Sequence, residues 1–322
     1  QTAQAASDPF ALGFAHLGNC VHEHPVTGDW DAALHHAREG MAAFAAVDAS
    51  HEWGSIAYLE AWILAGRGGF ADALAVCDEM LTTADQTGDR HLAAWATEAV
   101  GRICLLAGAS GRAVNLLSQA AQPLASIPDN MNWARARAEA VQARAILGEI
   151  DVASSDLEAT ERFVQVHNVR GFYRSELTIA RARLALAMGG DTDGPSVDVA
   201  AAVVAAGEAA AADWEGRVES HRLAADLAAR RGRPTVVRKE LDRAAEAARR
   251  LGSPLHKAVV DRDRWRLTGD SSVLATLTPS LSVLGLVFDP ETGDIRPGTV
   301  LDATIDAAFR RARADSDRSV PI

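Results

Sequence analysis

A glycine followed five residues later by a small residue recurs along this chain at a fixed interval, and that interval constrains the fold more than any other feature. Gly28 leads to Ala33 and Leu34 in GDWDAAL, and Gly68 to Ala73 and Leu74 in GGFADAL. Gly108 leads to Ala113 and Val114 in GASGRAV, and Gly148 to Ala153 in GEIDVAS. The three intervals between these glycines are each 40 residues. Weaker copies begin at Gly194, Gly232 and Gly269, after intervals of 46, 38 and 37 residues, and reach Val199, Val237 and Leu274. The longest interval carries an insertion, GGDTDGPS at 189–196.

Each interval holds two helices. After Gly68 the apolar residues Phe70, Ala73, Leu74, Cys77, Met80 and Leu81 fall three and four apart, as one helix face requires. Before Gly108, the set Leu92, Trp95, Ala96, Val100, Ile103 and Ala107 does the same. Pro195, Pro234 and Pro254 each lie just after a break, where a helix can begin. The pattern predicts seven helical hairpins between about 9 and 285. Ala33, Ala73, Ala113 and Ala153 are expected at the contact between paired helices, where a larger side chain would hold the two apart. A lone hairpin cannot bury its apolar face, so the hairpins must stack.

The turn sequences GDWDAAL and GGFADAL resemble those of tetratricopeptide (TPR) repeats, in which a Gly-Asp-aromatic-x-x-Ala-Leu turn joins two helices. The resemblance covers most of the chain and weakens after 153. It implies an all-α, right-handed superhelical solenoid of about seven TPR-like hairpins with a concave groove. The period departs from the TPR standard of about 34 residues. Longer units of this kind look like the C-terminal solenoids of large bacterial regulators, among them LuxR-family activators and proteins joining an ATPase or cyclase to a repeat array.

In TPR proteins the first helix of each pair lines the groove. Carrying its exposed positions onto this chain gives a partner-binding strip of Tyr58, Trp62, Trp95, Glu98, Arg102, Arg135, Gln142, Glu176, Arg183, Glu219 and Arg222. Aromatic and arginine side chains are favoured anchors of interfaces. Trp95 also fits the packing stripe, so core packing is the rival reading. On the groove reading, replacing Arg102 and Arg135 together by Ala leaves thermal stability nearly untouched.

Charge is polarised along the chain. Residues 1–216 hold 13 basic and 28 acidic residues, whereas 217–266 hold 14 basic and 7 acidic. The basic stretch reads either as cations at helix C-termini or as a docking patch for an acidic partner or neighbouring domain. The overall charge of −11 argues against direct nucleic-acid binding. No apolar run approaches a membrane span. Cys20, Cys77 and Cys104 are too few and too scattered for a disulfide framework.

Enzyme signatures are not found: there is no phosphate loop, nucleophile elbow, HExxH or Cys-x-x-Cys. DTDG at 191–194 lacks the later Glu of a calcium loop. Six of the ten histidines lie in the first 51 residues. Cys20, His22, His24 and His35 offer a zinc ligand set, but their spacing matches no standard pattern, and scattered surface histidines are the preferred reading. No cofactor is expected.

The chain divides into a solenoid, 1–285, and an extension, 286–322. Pro279 is expected to shorten or break the last solenoid helix. The stretch 286–300 has turn chemistry suited to a small hairpin. Residues 300–313 form an amphipathic helix that could cap the end of the stack. Gln1 in place of Met reads as a missing front piece, either because the chain is an excised domain or because it is a mature chain after signal cleavage, and a cytoplasmic setting is expected. The abundance of Arg over Lys reads as a GC-rich bacterial genome. The resulting expectation is a non-catalytic module binding a protein, a peptide or other domains of its own polypeptide, within a larger bacterial regulator. The alternative is a domain that senses a small-molecule effector for a signal-transducing ATPase or transcriptional regulator.

Overall fold

The computed structural model describes residues 8–126, 129–169, 174–189 and 199–318. Its described part is all-α apart from one two-stranded hairpin. The helices are α1 (Pro9–His22), α2 (Trp30–Ala45), α3 (Ser50–Arg67), α4 (Phe70–Thr87), α5 (Arg90–Leu106), α6 (Ser110–Ser126) and α7 (Asn130–Leu147). They continue with α8 (Ile150–Val166), α9 (Arg174–Ala187), α10 (Val199–Ala209), α11 (Trp214–Arg230), α12 (Pro234–Arg250), α13 (Pro254–Thr268) and α14 (Leu274–Val283). Strands β1 (Leu286–Phe288) and β2 (Ile295–Pro297) pair antiparallel, and α15 (Thr299–Arg318) ends the described chain. Consecutive helices pack on one another as the seven expected hairpins, from α1/α2 to α13/α14.

The repeat register is visible in the packing. Ala33, Ala73, Ala113 and Ala153 are each 0% exposed, as a methyl at the waist of a close-packed hairpin should be. Gly28, Gly68, Gly108 and Gly148 all have positive φ, between 69° and 87°, at the ends of the first helices. In the fifth hairpin the glycine with this conformation is Gly189; Gly194, Pro195, the DTDG stretch and most of the insertion lie outside the described residues. Asp29, Asp89, Asp129 and Asp213 accept backbone N–H bonds at helix starts. Pro234 and Pro254 open α12 and α13 as expected. Two ties repeat with the 40-residue register: His51 bonds to Asp89 and His91 to Asp129, each at 2.7 Å. They tie successive first helices together.

The second half of the chain turns back across the first. Trp214 donates to the Val26 carbonyl at 3.0 Å, and Arg250 to that of Thr27 at 2.8 Å. Ser253 at the start of α13 donates to the Gly66 carbonyl at the end of α3, 2.7 Å away. The three leading repeat glycines each lie beneath a later element. A Cβ added at Gly28 would meet Trp214, at Gly68 Leu284 and Leu255, and at Gly108 the Ile295 carbonyl of β2. One hydrophobic core accordingly runs from Cys20 through the first three hairpins into α11–α15, while α7–α9 and α9–α11 hold two smaller cores.

The extension packs differently from the expected end cap. The turn-rich stretch does form the β1–β2 hairpin, with Phe288 edge-on to Trp265 at 5.2 Å. Helix α15, however, lies against α4, α5 and α6 in the middle of the stack. Its Asp302 bonds to Arg112 at 2.6 Å, and the apolar face with buried Leu301, Ile305 and Ala312 joins the main core. The returning chain carries the helix past the end of the stack to these earlier hairpins. Pro279 sits inside the ten-residue α14. No described helix is long and apolar enough to cross a membrane.

Candidate functional site

The first helices of successive hairpins set their inward faces side by side, and the strip expected from the sequence is continuous. On α3, Tyr58 and Trp62 have ring centroids 5.7 Å apart. Tyr58 is 6.2 Å from Trp95 of α5. The Arg102 and Arg135 guanidinium carbons lie 3.6 and 4.3 Å from the Trp62 ring centroid. Arg135 of α7 bonds to Glu98 of α5 at 3.1 Å and also to Tyr58 and Asn132. Gln142 reaches the Glu176 carbonyl of α9 at 3.5 Å. Arg183 pairs with Glu219 of α11 at 2.6 Å, and Glu219 with Arg222.

The expectation that these aromatics stand exposed as anchors is corrected. Tyr58 and Trp62 are 4% exposed and Trp95 9%. Glu98, Arg102, Arg135 and Gln142 are buried as well; Glu176, Arg183, Glu219 and Arg222 are half-buried. Neighbouring first helices cover Tyr58, Trp95, Glu98 and Arg135, and the returning half of the chain covers Trp62 and Arg102. Glu215 of α11 accepts from the Trp62 indole at 3.3 Å and pairs with Arg102, which also pairs with Glu139. His256 of α13 stands 3.4 Å from Glu215 and 3.0 Å from the Gly66 carbonyl. The N-terminal part of the strip is thus sealed as a polar core.

Beyond Arg102 the strip opens into a cavity of about 750 Å³. Its walls come from α5, α7, α9, α11 and α13, with β2 at the rim. Arg102, Gln142, Glu176, Arg183, Glu219 and Arg222 of the expected strip face it, whereas Tyr58, Trp62, Trp95, Glu98 and Arg135 do not. Apolar walls are supplied by Leu105, Ile179, Leu255 and Val259.

Burial sets the protonation of the charged groups. It pushes the Glu98 carboxyl up to about 7 against the opposing pull of Arg135. Burial, then the neighbouring Asp213, carries Glu176 up to about 8. Glu139 and Asp213 are raised by burial too. Burial acts the same way on Glu215, but Arg102 and then His256 outweigh it and hold that carboxyl far below its usual range. Burial disfavours the Arg102 cation, yet Glu215 and Glu139 more than offset this and keep it firmly charged.

Several members of the network escape the sequence reading. His256 and Asp263 stand thirteen and six residues before Gly269, the same offsets used to place the strip in earlier hairpins. Extending that register to the seventh hairpin finds them. Asp263 bonds to Arg222 at 2.6 Å. Glu139 and Glu215 occupy neither offset, and only the packing reveals them.

Among the described residues no three His, Cys, Asp or Glu side chains are placed to hold a metal ion. Cys20 is sealed in the core, its thiol pushed up to about 12 by burial. His22 and His35 are exposed. His24 turns inward to stack on Trp30 at 5.6 Å, and burial lowers it to about 4. The basic stretch is largely spent within the molecule: Arg222, Arg264 and Arg266 pair with Asp263, Asp242 and Asp226, and Arg250 docks on the first hairpin.

The structure is similar to that of the Rap conjugation gene regulator of plasmid pLS20, solved in complex with the Phr* peptide. The TM-score is 0.52 and the identity 14%, over 83% of this chain and 76% of that one. The fold is a TPR-like helical repeat. At this identity the likeness speaks for the fold alone. No protein-family model and no curated protein sequence matches the chain.

Proposed function

We propose that this chain is a non-catalytic, ligand-binding regulatory module that takes a short peptide into the cavity bounded by α5, α7, α9, α11 and α13. The observation that carries the reading is the cavity itself. A TPR-like stack folded back on itself leaves about 750 Å³ lined by forked arginines, carboxylates and an apolar wall. The Rap regulator with which it shares its fold was solved with a peptide bound, which supports a peptide as the occupant. On this reading Arg102, Gln142, Glu176, Arg183, Glu219 and Arg222 meet the ligand. Tyr58, Trp62, Trp95, Glu98 and Arg135 brace the wall behind them. The wall joins both halves of the chain through Glu215, so occupancy would be felt where the halves meet. That coupling suits the sensing part of a larger bacterial regulator.

The volume lies within the range of roughly 300–1,000 Å³ typical of small-molecule sites, which favours a compact effector as the second reading. A thermal-shift titration with short synthetic peptides of increasing length tests the two. The peptide reading expects a rise in melting temperature that grows with length until the cavity is full. It also expects the rise to vanish in Val259→Trp, where an indole on the cavity wall blocks entry. Shifts that survive Val259→Trp would place the ligand elsewhere and overturn the reading.

A further inference from the structure

Several of the carboxylates facing the cavity have a cation against them. Glu139 and Glu215 have Arg102, Glu219 has Arg183 and Arg222, and Asp302 has Arg112. Glu176, Asp213 and the exposed Asp294 form no ion pair among the described residues, although Arg135 is near enough to pull on Glu176. Glu176 Oε2 accepts from the Ser175 hydroxyl at 3.0 Å. Asp213 caps α11, accepting from the Glu215 N–H at 3.1 Å, and it too faces Ser175. Helices α9 and α11 meet closely here, at Gly216. A Cβ there would stand 2.6 Å from Asp213 Oδ2 and 3.1 Å from the Ser175 Cβ.

A second, separate observation points the same way. Glu139, 1% exposed and among the residues lining the same cavity, gives one oxygen to Arg102 and leaves Oε2, buried, with no hydrogen-bond partner among the described residues. Buried carboxylates without a donor are costly, and proteins ordinarily match each with a cation or a hydrogen bond. Glu176, Asp213 and Glu139 thus line one cavity large enough for a ligand.

Resting on the reading of this cavity as a ligand site, we infer that its ligand carries a primary ammonium or guanidinium group, seated between Glu176 and Asp213 within reach of Glu139. Such a group donates several N–H bonds and supplies the missing positive charge. In the empty cavity Glu176 is pushed up to about 8 by burial, then by Asp213, with Glu139 adding and Arg135 opposing. It therefore holds a proton near neutral pH, and a bound cation displaces that proton. The cationic group can come from a free peptide amino terminus, from a Lys or Arg side chain, or from a polyamine.

The test is calorimetric titration of the full chain near neutral pH in two buffers of different ionisation enthalpy. The probes are short peptides with free amino termini and no Lys or Arg, N-acetylated peptides with Lys or Arg, N-acetylated peptides without either, spermidine, and calcium chloride. The proteins are the wild type, Glu176→Gln and Asp213→Asn; the first variant keeps an acceptor for Ser175 and the second keeps the helix cap. The inference expects one or more cationic probes to bind with proton release, the uncharged peptides to bind weakly, and each variant to lose about tenfold or more in affinity. Glu176→Gln should also abolish the proton release. Equal affinity in the wild type and both variants would overturn the inference while leaving the cavity reading intact, as would calcium being the only probe that binds. Failure of every probe would overturn the cavity reading and this inference together.

Discussion

Arg102 shows why single residues matter here. Its guanidinium joins α5 to Glu139 of α7 and Glu215 of α11 while it covers the Trp62 ring. Removing it leaves two carboxylates buried without their cation, and breaking one partner of a buried pair costs about 3–5 kcal/mol. Arg102→Ala should therefore lower the urea midpoint markedly. This reverses the expectation of an open groove, on which the same change would be silent; an unchanged midpoint would restore it. Glu176 gives the pH signature. Its folded value, about 8, lies above the ordinary 4.5, so its contribution to stability is full below the ordinary value and is lost as pH rises through the folded one. Between about pH 5 and pH 9 the melting temperature of the wild type should fall relative to that of Glu176→Gln. Parallel curves would show that Glu176 is ionised throughout.

At the scale of the helices, the 40-residue register makes paired experiments possible. Gly108 and Gly148 occupy the same turn, with φ of 84° and 75°. An Ala at either meets the same left-handed backbone cost, roughly 1–2 kcal/mol. Only at Gly108 would the new Cβ collide with the Ile295 carbonyl; at Gly148 the space is open. Gly108→Ala should thus destabilise more than Gly148→Ala, and the excess, read by thermal unfolding, measures the docking of the β-hairpin. Ala113→Leu should overpack the third hairpin by about 1–3 kcal/mol, and an unchanged melting temperature would contradict the register. This much is legible in the sequence because it is local: glycine turns, small residues at the waist and capping residues all repeat. The groove offsets put six of their eleven residues on the cavity, and they reach His256 and Asp263 once continued to the last hairpin. What they cannot convey is whether a face ends in solvent or beneath another helix. Trp62 and Trp95 have the same residue type and spacing in either case.

At the scale of the molecule, closure decides that question. The contacts that make it join Trp62 to Glu215, Gly66 to Ser253, and Thr27 to Arg250, residues 153, 187 and 223 positions apart. No periodicity encodes them, because each is made once. Their sequence traces are single residues, such as Trp214 beside the Gly28 turn and the Ser253 that starts α13. Closure turns an open groove into a sealed polar core with a cavity beyond it, so every functional statement depends on it. Small-angle X-ray scattering of the full chain in solution tests it most directly. A closed molecule of 322 residues should have a radius of gyration of about 20 Å and a compact, nearly symmetric distance distribution. A clearly larger radius with a long-tailed distribution would describe an open solenoid and contradict the account.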